Sequence, residues 1–191
     1  MTRIIAGRAR GRRLVAPAGQ GTRPTSDRTR EGLFSTLESL HGPLAGARVL
    51  DLYAGSGAVG LEALSRGASV ALLVESDPRA ARRIRDNAGR VGLPGAEVVV
   101  TRVERLVSLP CSGEAFDIAF LDPPYELPDG DVAAVLGDAD SLGWLAPGAI
   151  VVVERATRGG RFGWPDGFRP ARSRRYGEGT LWYGRRAPRR M

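Results

Sequence analysis

Val49-Leu50-Asp51-Leu52-Tyr53-Ala54-Gly55-Ser56-Gly57-Ala58-Val59-Gly60 is the stretch that decides the fold. An apolar run ends in a glycine-rich turn, and the turn opens into residues with helical spacing. Val49-Leu50, Val70-Ala71-Leu72-Leu73-Val74 and Ile150-Val151-Val152-Val153 are continuous apolar runs rather than alternating ones. That is the pattern of strands covered by helices on both faces of a parallel sheet. Working outward, the spacing predicts strands over 48–53, 70–75, 96–101, 116–121 and 149–154, with helices over 58–66, 78–91 and 130–138. Residues 103–110 leave room for only a turn or two of helix. Asp77-Pro78 supplies an N-cap followed by proline at the first helical position, and Gly92 can close that helix in the left-handed region. The expected fold class is α/β, a doubly wound, mostly parallel, Rossmann-like sheet.

The flanks read differently. Residues 3–6 and 12–15 are short β-prone runs around Gly7-Arg8-Ala9-Arg10-Gly11, expected as a small basic hairpin, and 17–24 reads as irregular. Ser26 or Asp27 can cap a helix running to about Leu40, because Leu33, Phe34, Leu37 and Leu40 recur on one face. Residues 168–186, with Tyr176-Gly177-Glu178-Gly179 at their middle, are expected as an antiparallel hairpin on the sheet edge. The organisation expected is a basic N-terminal extension and helix over 1–45, then the α/β domain over 46–191, the two forming one compact unit.

With 191 residues, 42% of them hydrophobic, the chain suits a single domain. No apolar stretch approaches the roughly 20 residues of a membrane span, the start carries no secretory pattern, and one cysteine makes no internal disulfide. A soluble, cytoplasmic monomer is expected. His41 and Cys111 are the sole residues of their types, so no metal site and no thiol chemistry are expected.

All 28 basic residues are arginine, and the net charge is +7. Its distribution says more than its size. Residues 1–30 hold eight arginines and one acid, residues 155–191 hold eleven and two, and the middle holds nine and eighteen. Clustered arginine attracts a phosphate backbone through bidentate contacts and counterion release, so a nucleic-acid partner is expected. Arg28 and Arg30 sit near a helix start, where cations are mildly unfavourable, which argues for a role in a site. Arg185, Arg186, Arg189 and Arg190 read as a solvated terminal run.

Gly55-Ser56-Gly57-Ala58-Val59-Gly60 is a G-x-G-x-x-G turn between strand and helix, and Glu75 ends the next strand. A dinucleotide enzyme would show the same pattern. Asp51, just ahead of the glycines, disfavours a pyrophosphate there but suits a ligand bearing an ammonium and a sulfonium. S-adenosyl-L-methionine is such a ligand, with Glu75 accepting from its ribose hydroxyls.

Phe116–Leu121 runs as an apolar strand into Asp122-Pro123-Pro124-Tyr125. Two prolines fix φ and remove two donors, so the carbonyls stay available as acceptors. The Asp122 carboxylate and the Pro123 carbonyl can take the two protons of an exocyclic amine, while Tyr125 offers a face for stacking the base. A nucleobase amine is a poor nucleophile because its lone pair is delocalised. Two placed acceptors pull the nitrogen toward tetrahedral geometry and aim that pair at an electrophilic methyl.

Taken together, the sequence resembles the class I S-adenosylmethionine-dependent methyltransferases that act on amino groups. More closely, it resembles the RsmD-type bacterial 16S rRNA (guanine-N2)-methyltransferases. The resemblance runs from Arg3-Ile4-Ile5-Ala6-Gly7 and Arg10-Gly11-Arg12, through Arg23-Pro24-Thr25, Arg28, Arg30-Glu31 and the glycine turn, to Glu75, Asp122–Tyr125, Val153-Glu154 and Tyr176-Gly177. It implies that Asp51, Tyr53, Ala54, Gly55, Ser56, Gly57, Glu75 and Ser76 bind the cofactor and that Asp122 to Tyr125 hold the guanine amine. It also implies that Arg8, Arg10, Arg12, Arg13, Arg23, Arg28 and Arg30 grip 16S rRNA within the small ribosomal subunit or a late assembly intermediate. Many class I enzymes place an acid after the third strand to contact the adenine amine. Here Thr101-Arg102-Val103-Glu104 puts that acid one position late, so a backbone group at Arg102 or Val103 is expected to replace it.

Three other readings stay open on sequence alone: adenine-N6 methylation of RNA or DNA, a dinucleotide-dependent oxidoreductase, and a non-catalytic RNA-binding assembly factor with a relic pocket. The absence of room for a target-recognition domain argues against the DNA version.

Overall fold

The computed structural model describes residues 2–15 and 26–188. The chain opens with β1 (Thr2–Arg3), β2 (Arg13–Leu14) and α1 (Asp27–His41), followed by β3 (Arg48–Leu52), α2 (Ala58–Ser65), β4 (Val70–Glu75) and α3 (Pro78–Val91). It continues through β5 (Ala96–Val100), α4 (Val103–Val107), β6 (Phe116–Leu121), α5 (Asp129–Ser141), β7 (Leu145–Ala156), β8 (Phe168–Tyr176) and β9 (Gly179–Arg186). One turn of 3-10 helix, Thr157–Gly159, follows β7.

The main sheet has seven strands in the order β5-β4-β3-β6-β7-β9-β8. The first five are parallel, and β9 inserts antiparallel between β7 and β8. Strand residues alternate between two cores, so both faces must be covered. On one face Val49, Ile118, Phe120, Ile150 and Val152 pack with Leu33, Phe34 and Leu37 of α1 and with α2 and α3. On the other, Leu50, Leu52, Leu121, Val151 and Val153 pack with α4 and α5. This is the doubly wound α/β class with a closing hairpin that the apolar runs imply.

The boundaries have local causes. The Ser26 side chain accepts from the Thr29 N–H and Asp77 accepts from the Arg79 N–H, giving α1 and α3 their N-caps. Gly92, at φ 62°, closes α3. β7 begins at Leu145 rather than Ala149, because Pro147-Gly148 is accommodated as a register shift against β6 and does not break the strand.

The basic opening packs against the body of the protein. Ile4, Ala9 and Leu14 are buried in the core shared with α1 and α2. The wholly buried Glu62 of α2 accepts the Ile5 and Ala6 N–H groups at 2.7 and 3.0 Å, and Ser65 Oγ accepts that of Ala9 at 2.9 Å. Gly7 passes so close that a Cβ there would lie 1.8 Å from the Ser65 carbonyl oxygen. Glycine is required at that crossing.

Candidate active site

β3 and β6 are neighbours, and the helices that follow them lie on opposite faces. Their carboxyl ends therefore diverge at the topological switch point, where doubly wound sheets bind ligands. A cleft of about 1950 Å³ opens there. Pockets for one small molecule run to ~1,000 Å³, so this one has space for a cofactor and a base side by side. Asp51, Tyr53, Ala54, Gly55, Ser56, Glu75, Ser76, Arg102 and Val103 line one half, and Asp122, Pro123, Pro124 and Tyr125 the other. Gly57 is not among the lining residues. It caps α2 at φ 76°, and a Cβ there would meet Ile84 at 2.9 Å, so its part is to let the turn close.

The Asp51 carboxylate is 1% exposed and accepts the Gly60 N–H at 2.9 Å. It anchors the first turn of α2 while facing the cleft. Burial, with Asp122 and Glu75 adding to it, pushes its carboxyl up to about 7 despite that hydrogen bond. A bound cation would favour the ionised form. Glu75 accepts the Gly55 N–H on one oxygen and the Asp77 N–H on the other, both at 2.9 Å. Tyr53 holds φ 65°, a left-handed conformation costing a non-glycine residue about 1 kcal/mol. Burial and the adjacent Glu104 carboxylate push its hydroxyl pKa up. Glu104, one position later than the usual acid, thus lines the cleft itself, paired to Arg102 at 3.6 Å.

Asp122 leaves β6 beside Glu154. Leu121 pairs with Val153 across the parallel ladder, so the next step places the two carboxyl-bearing residues next to one another on the same face. Burial raises the pKa of both; Glu154 is raised further by Asp122, whereas Arg155 draws Asp122 back down. Arg155, 7% exposed, turns the other way. Its guanidinium donates to Asp129 Oδ1 at 2.7 Å and to the carbonyls of Pro124, Tyr125 and Leu127 at 3.2, 3.4 and 2.5 Å. The clamp fixes the loop after Asp122 and does not involve the Pro123 carbonyl. Tyr125, 46% exposed, presents its ring at the mouth.

The arginines divide into two sets. Arg8, Arg10 and Arg13 are exposed on the opening segment, and Arg28 is exposed on the cleft wall. Arg12 is exposed too, but its guanidinium donates to the Arg90 and Val91 carbonyls at the end of α3. Arg30 corrects its sequence-based assignment. It is 0% exposed, on the same α1 stripe as Leu33, Phe34 and Leu37, bonded to the Arg3 carbonyl at 2.6 Å and to Asp27 at 2.8 Å, so it holds the opening to α1 instead of meeting RNA. Arg23 lies outside the described residues. Arg185 and Arg186 are not a solvated run either: Arg185 donates to the Leu40 and Gly148 carbonyls, and Arg186 to Asp140 and the Leu145 carbonyl. Arg189 and Arg190 lie outside the described residues.

The family model described as Conserved hypothetical protein 95 matches residues 2–185. Ribosomal RNA small subunit methyltransferase D of Escherichia coli (strain K12) is 38% identical over 158 residues, 83% of this chain and 76% of that one. The protein of the same name from Haemophilus influenzae is 36% identical over 154 residues, 80% and 77% of the two chains. Among solved structures, Escherichia coli yhhF superposes with TM-score 0.85 at 34% identity over 98% of this chain and 99% of that one. A hypothetical protein of Thermus thermophilus gives 0.78 at 38% identity over 96% and 98%.

The chain belongs to the RsmD-type methyltransferase family. It is an S-adenosylmethionine-dependent enzyme, and the residues present fit that cofactor: a buried carboxylate for a cation, a glycine turn and an acid after the second strand. The RsmD-type cleft also includes residues to which the sequence reading gave no role in the site. Glu154 lines it from β7, Tyr176 from the end of β8, Glu178 from the hairpin turn and Arg83 from α3. The buried Asn87 of α3 donates to the Ser56 carbonyl at 2.9 Å and exchanges bonds with the backbone of Val15, tying the glycine turn to the opening segment. Its place among Ala80, Ala81, Ile84 and Val91 on the buried side of α3 was the available signal, since a polar residue there needs a partner.

Proposed function

We propose that this enzyme methylates the N2 amine of one guanine in small-subunit ribosomal RNA. The observation that carries the reading is the half-buried Asp122 carboxylate, followed by a clamped Pro-Pro-Tyr loop and facing the glycine turn across a cleft large enough for both reactants. The relatives named as small-subunit rRNA methyltransferases support the substrate class.

When bound, S-adenosylmethionine supplies a methyl made electrophilic by its sulfonium. Asp51 would hold its cationic end, Glu75 its ribose, and Arg102, Val103 and Glu104 the adenine end, with Tyr53, Ala54, Ser56 and Ser76 closing around it. Asp122 and the Pro123 carbonyl accept the two amine hydrogens, Tyr125 stacks on the base, and Arg155 keeps the loop in place. Arg8, Arg10, Arg13 and Arg28 of the N-terminal extension face the RNA backbone. The assembled or nearly assembled subunit, met in the cytoplasm by a monomer, is the partner this reading requires. None of the described helices is long and apolar enough to cross a membrane.

The test is methyl transfer from labelled S-adenosylmethionine to unmodified small subunits and to naked 16S rRNA, followed by nucleoside analysis. N2-methylguanosine at one site is expected. Methylated adenosine, or no label in any RNA, would overturn the assignment.

A further inference from the structure

We propose that Glu154 reads the N1 hydrogen of the target guanine and so decides which amine-bearing base the cleft accepts. The proposal rests on the guanine reading above and adds to it the residue that selects the base.

An extruded base is read along its Watson–Crick edge. Beside its amine, guanine carries a donor, N1–H, whereas adenine carries an N1 lone pair. Two amine hydrogens and N1–H make three donors in a row, and three acceptors are needed to meet them. Asp122 and the Pro123 carbonyl provide two. The third must lie next to Asp122, on the same face and at the same depth.

Glu154 is in that place. It neighbours Asp122 across the β6–β7 ladder, one step beyond the Leu121–Val153 pair, and lines the same cleft. Its Oε2 is buried with no hydrogen-bond partner among the described residues. A buried acceptor left unmade costs about 1–3 kcal/mol, so its retention in a cleft wall calls for a donor from outside the chain. Opposite it stands Gly179, where a Cβ would come within 2.9 Å of the other carboxylate oxygen; a side chain there would crowd the carboxylate from the hairpin turn.

The charged and titratable groups around Glu154 are Asp122 from β6, Tyr125 from the loop, Glu178 from the hairpin turn and Arg155 on its own strand, with Arg28 and Arg175 farther along the cleft wall. Burial and Asp122 make Glu154 hold its proton to higher pH than a free glutamate. Protonated, it can donate to a ring lone pair; ionised, it can only accept. Base preference should therefore depend on pH.

The experiment uses the full chain and small subunits whose mapped target guanosine is kept or replaced by 2-aminopurine riboside, which has the same amine but an N1 lone pair. In the wild type, the guanine-over-2-aminopurine ratio of kcat/KM is expected to rise about tenfold or more between about pH 6.5 and about pH 8.5, below the range in which guanine N1 itself loses its hydrogen. In Glu154→Gln, whose amide can donate or accept, the ratio should be smaller and flat with pH. Equal S-adenosylhomocysteine affinity in the two proteins checks that the cofactor half is intact. A wild-type ratio that does not change with pH, or one that survives Glu154→Gln unaltered, overturns the proposal while leaving the guanine reading standing. A wild type that methylates no guanine removes both, before any variant is made. The wild-type series stands alone if the variant fails to fold.

Discussion

The Gly55 N–H donates to Glu75 Oε2 at 2.9 Å, so the turn after β3 is held in place by the last residue of β4. Since the other Glu75 oxygen takes the Asp77 N–H, a glutamine there must point its NH₂ group at one of two backbone donors. Glu75→Gln is expected to weaken S-adenosylhomocysteine binding about 10- to 100-fold by calorimetry, and to lower Tm by a few degrees, in line with the ~1.5–3 kcal/mol of a hydrogen bond to a charged group. An unchanged affinity would mean that the carboxylate orders neither turn nor ligand.

Asp51 is expected to give cofactor binding a pH dependence. Its carboxyl sits near 7 in the free protein because burial penalises the charge. A cationic ligand beside it favours the ionised form, so at low pH a proton must leave before binding. Affinity for S-adenosylmethionine should fall about tenfold per pH unit below about 7 and level off above it. Asp51→Asn should flatten the profile at the weak end. A profile with the same slope in both proteins would assign the titration to another group.

How much of this was legible in the sequence depended on the range of the interactions. β6 falls on the residues its apolar run marks, and the glycine turn and Asp122–Tyr125 meet because both follow strands that end at the same edge of the sheet. Local periodicity carries that information. Arg30 and Arg186 did not yield to the same treatment. Arg30 looks like a helix-start cation until α1 is seen to bury it with Phe34 and Leu37, and Arg186 looks like a charged tail until β9 brings it to Asp140. Glu154 was visible as a strand-end acid within the family resemblance but without a role, because its importance comes from a neighbour on another strand whose register no local pattern states.

Arg155 separates loop order from cofactor binding. Its four acceptors all belong to the segment from Pro124 to Asp129. Arg155→Lys keeps the charge but cannot span them, because an ammonium is a point donor where the guanidinium is a fork. Methyl-transfer kcat is expected to drop about 10- to 100-fold with S-adenosylhomocysteine affinity within about twofold of wild type. A loss confined to cofactor affinity would contradict the clamp.

The opening arginines should also divide experimentally. Arg8, Arg10 and Arg13 project from a segment whose backbone is already held by Glu62 and Ser65, so their guanidinium groups are free to meet phosphates. Arg12 is held by the last carbonyls of α3, where a cation also favours the helix dipole. Arg10→Ala with Arg13→Ala is therefore expected to leave Tm nearly unchanged and to reduce the log–log salt slope of RNA binding by about one unit per lost phosphate contact. Arg12→Ala should do the reverse, lowering Tm by a few degrees with little change in slope. Salt titrations of binding to small subunits, run beside melting curves, separate the two. A slope that falls equally for all three would mean that Arg12 leaves α3 when RNA arrives, and a slope that falls for none would remove the opening segment from the RNA interface.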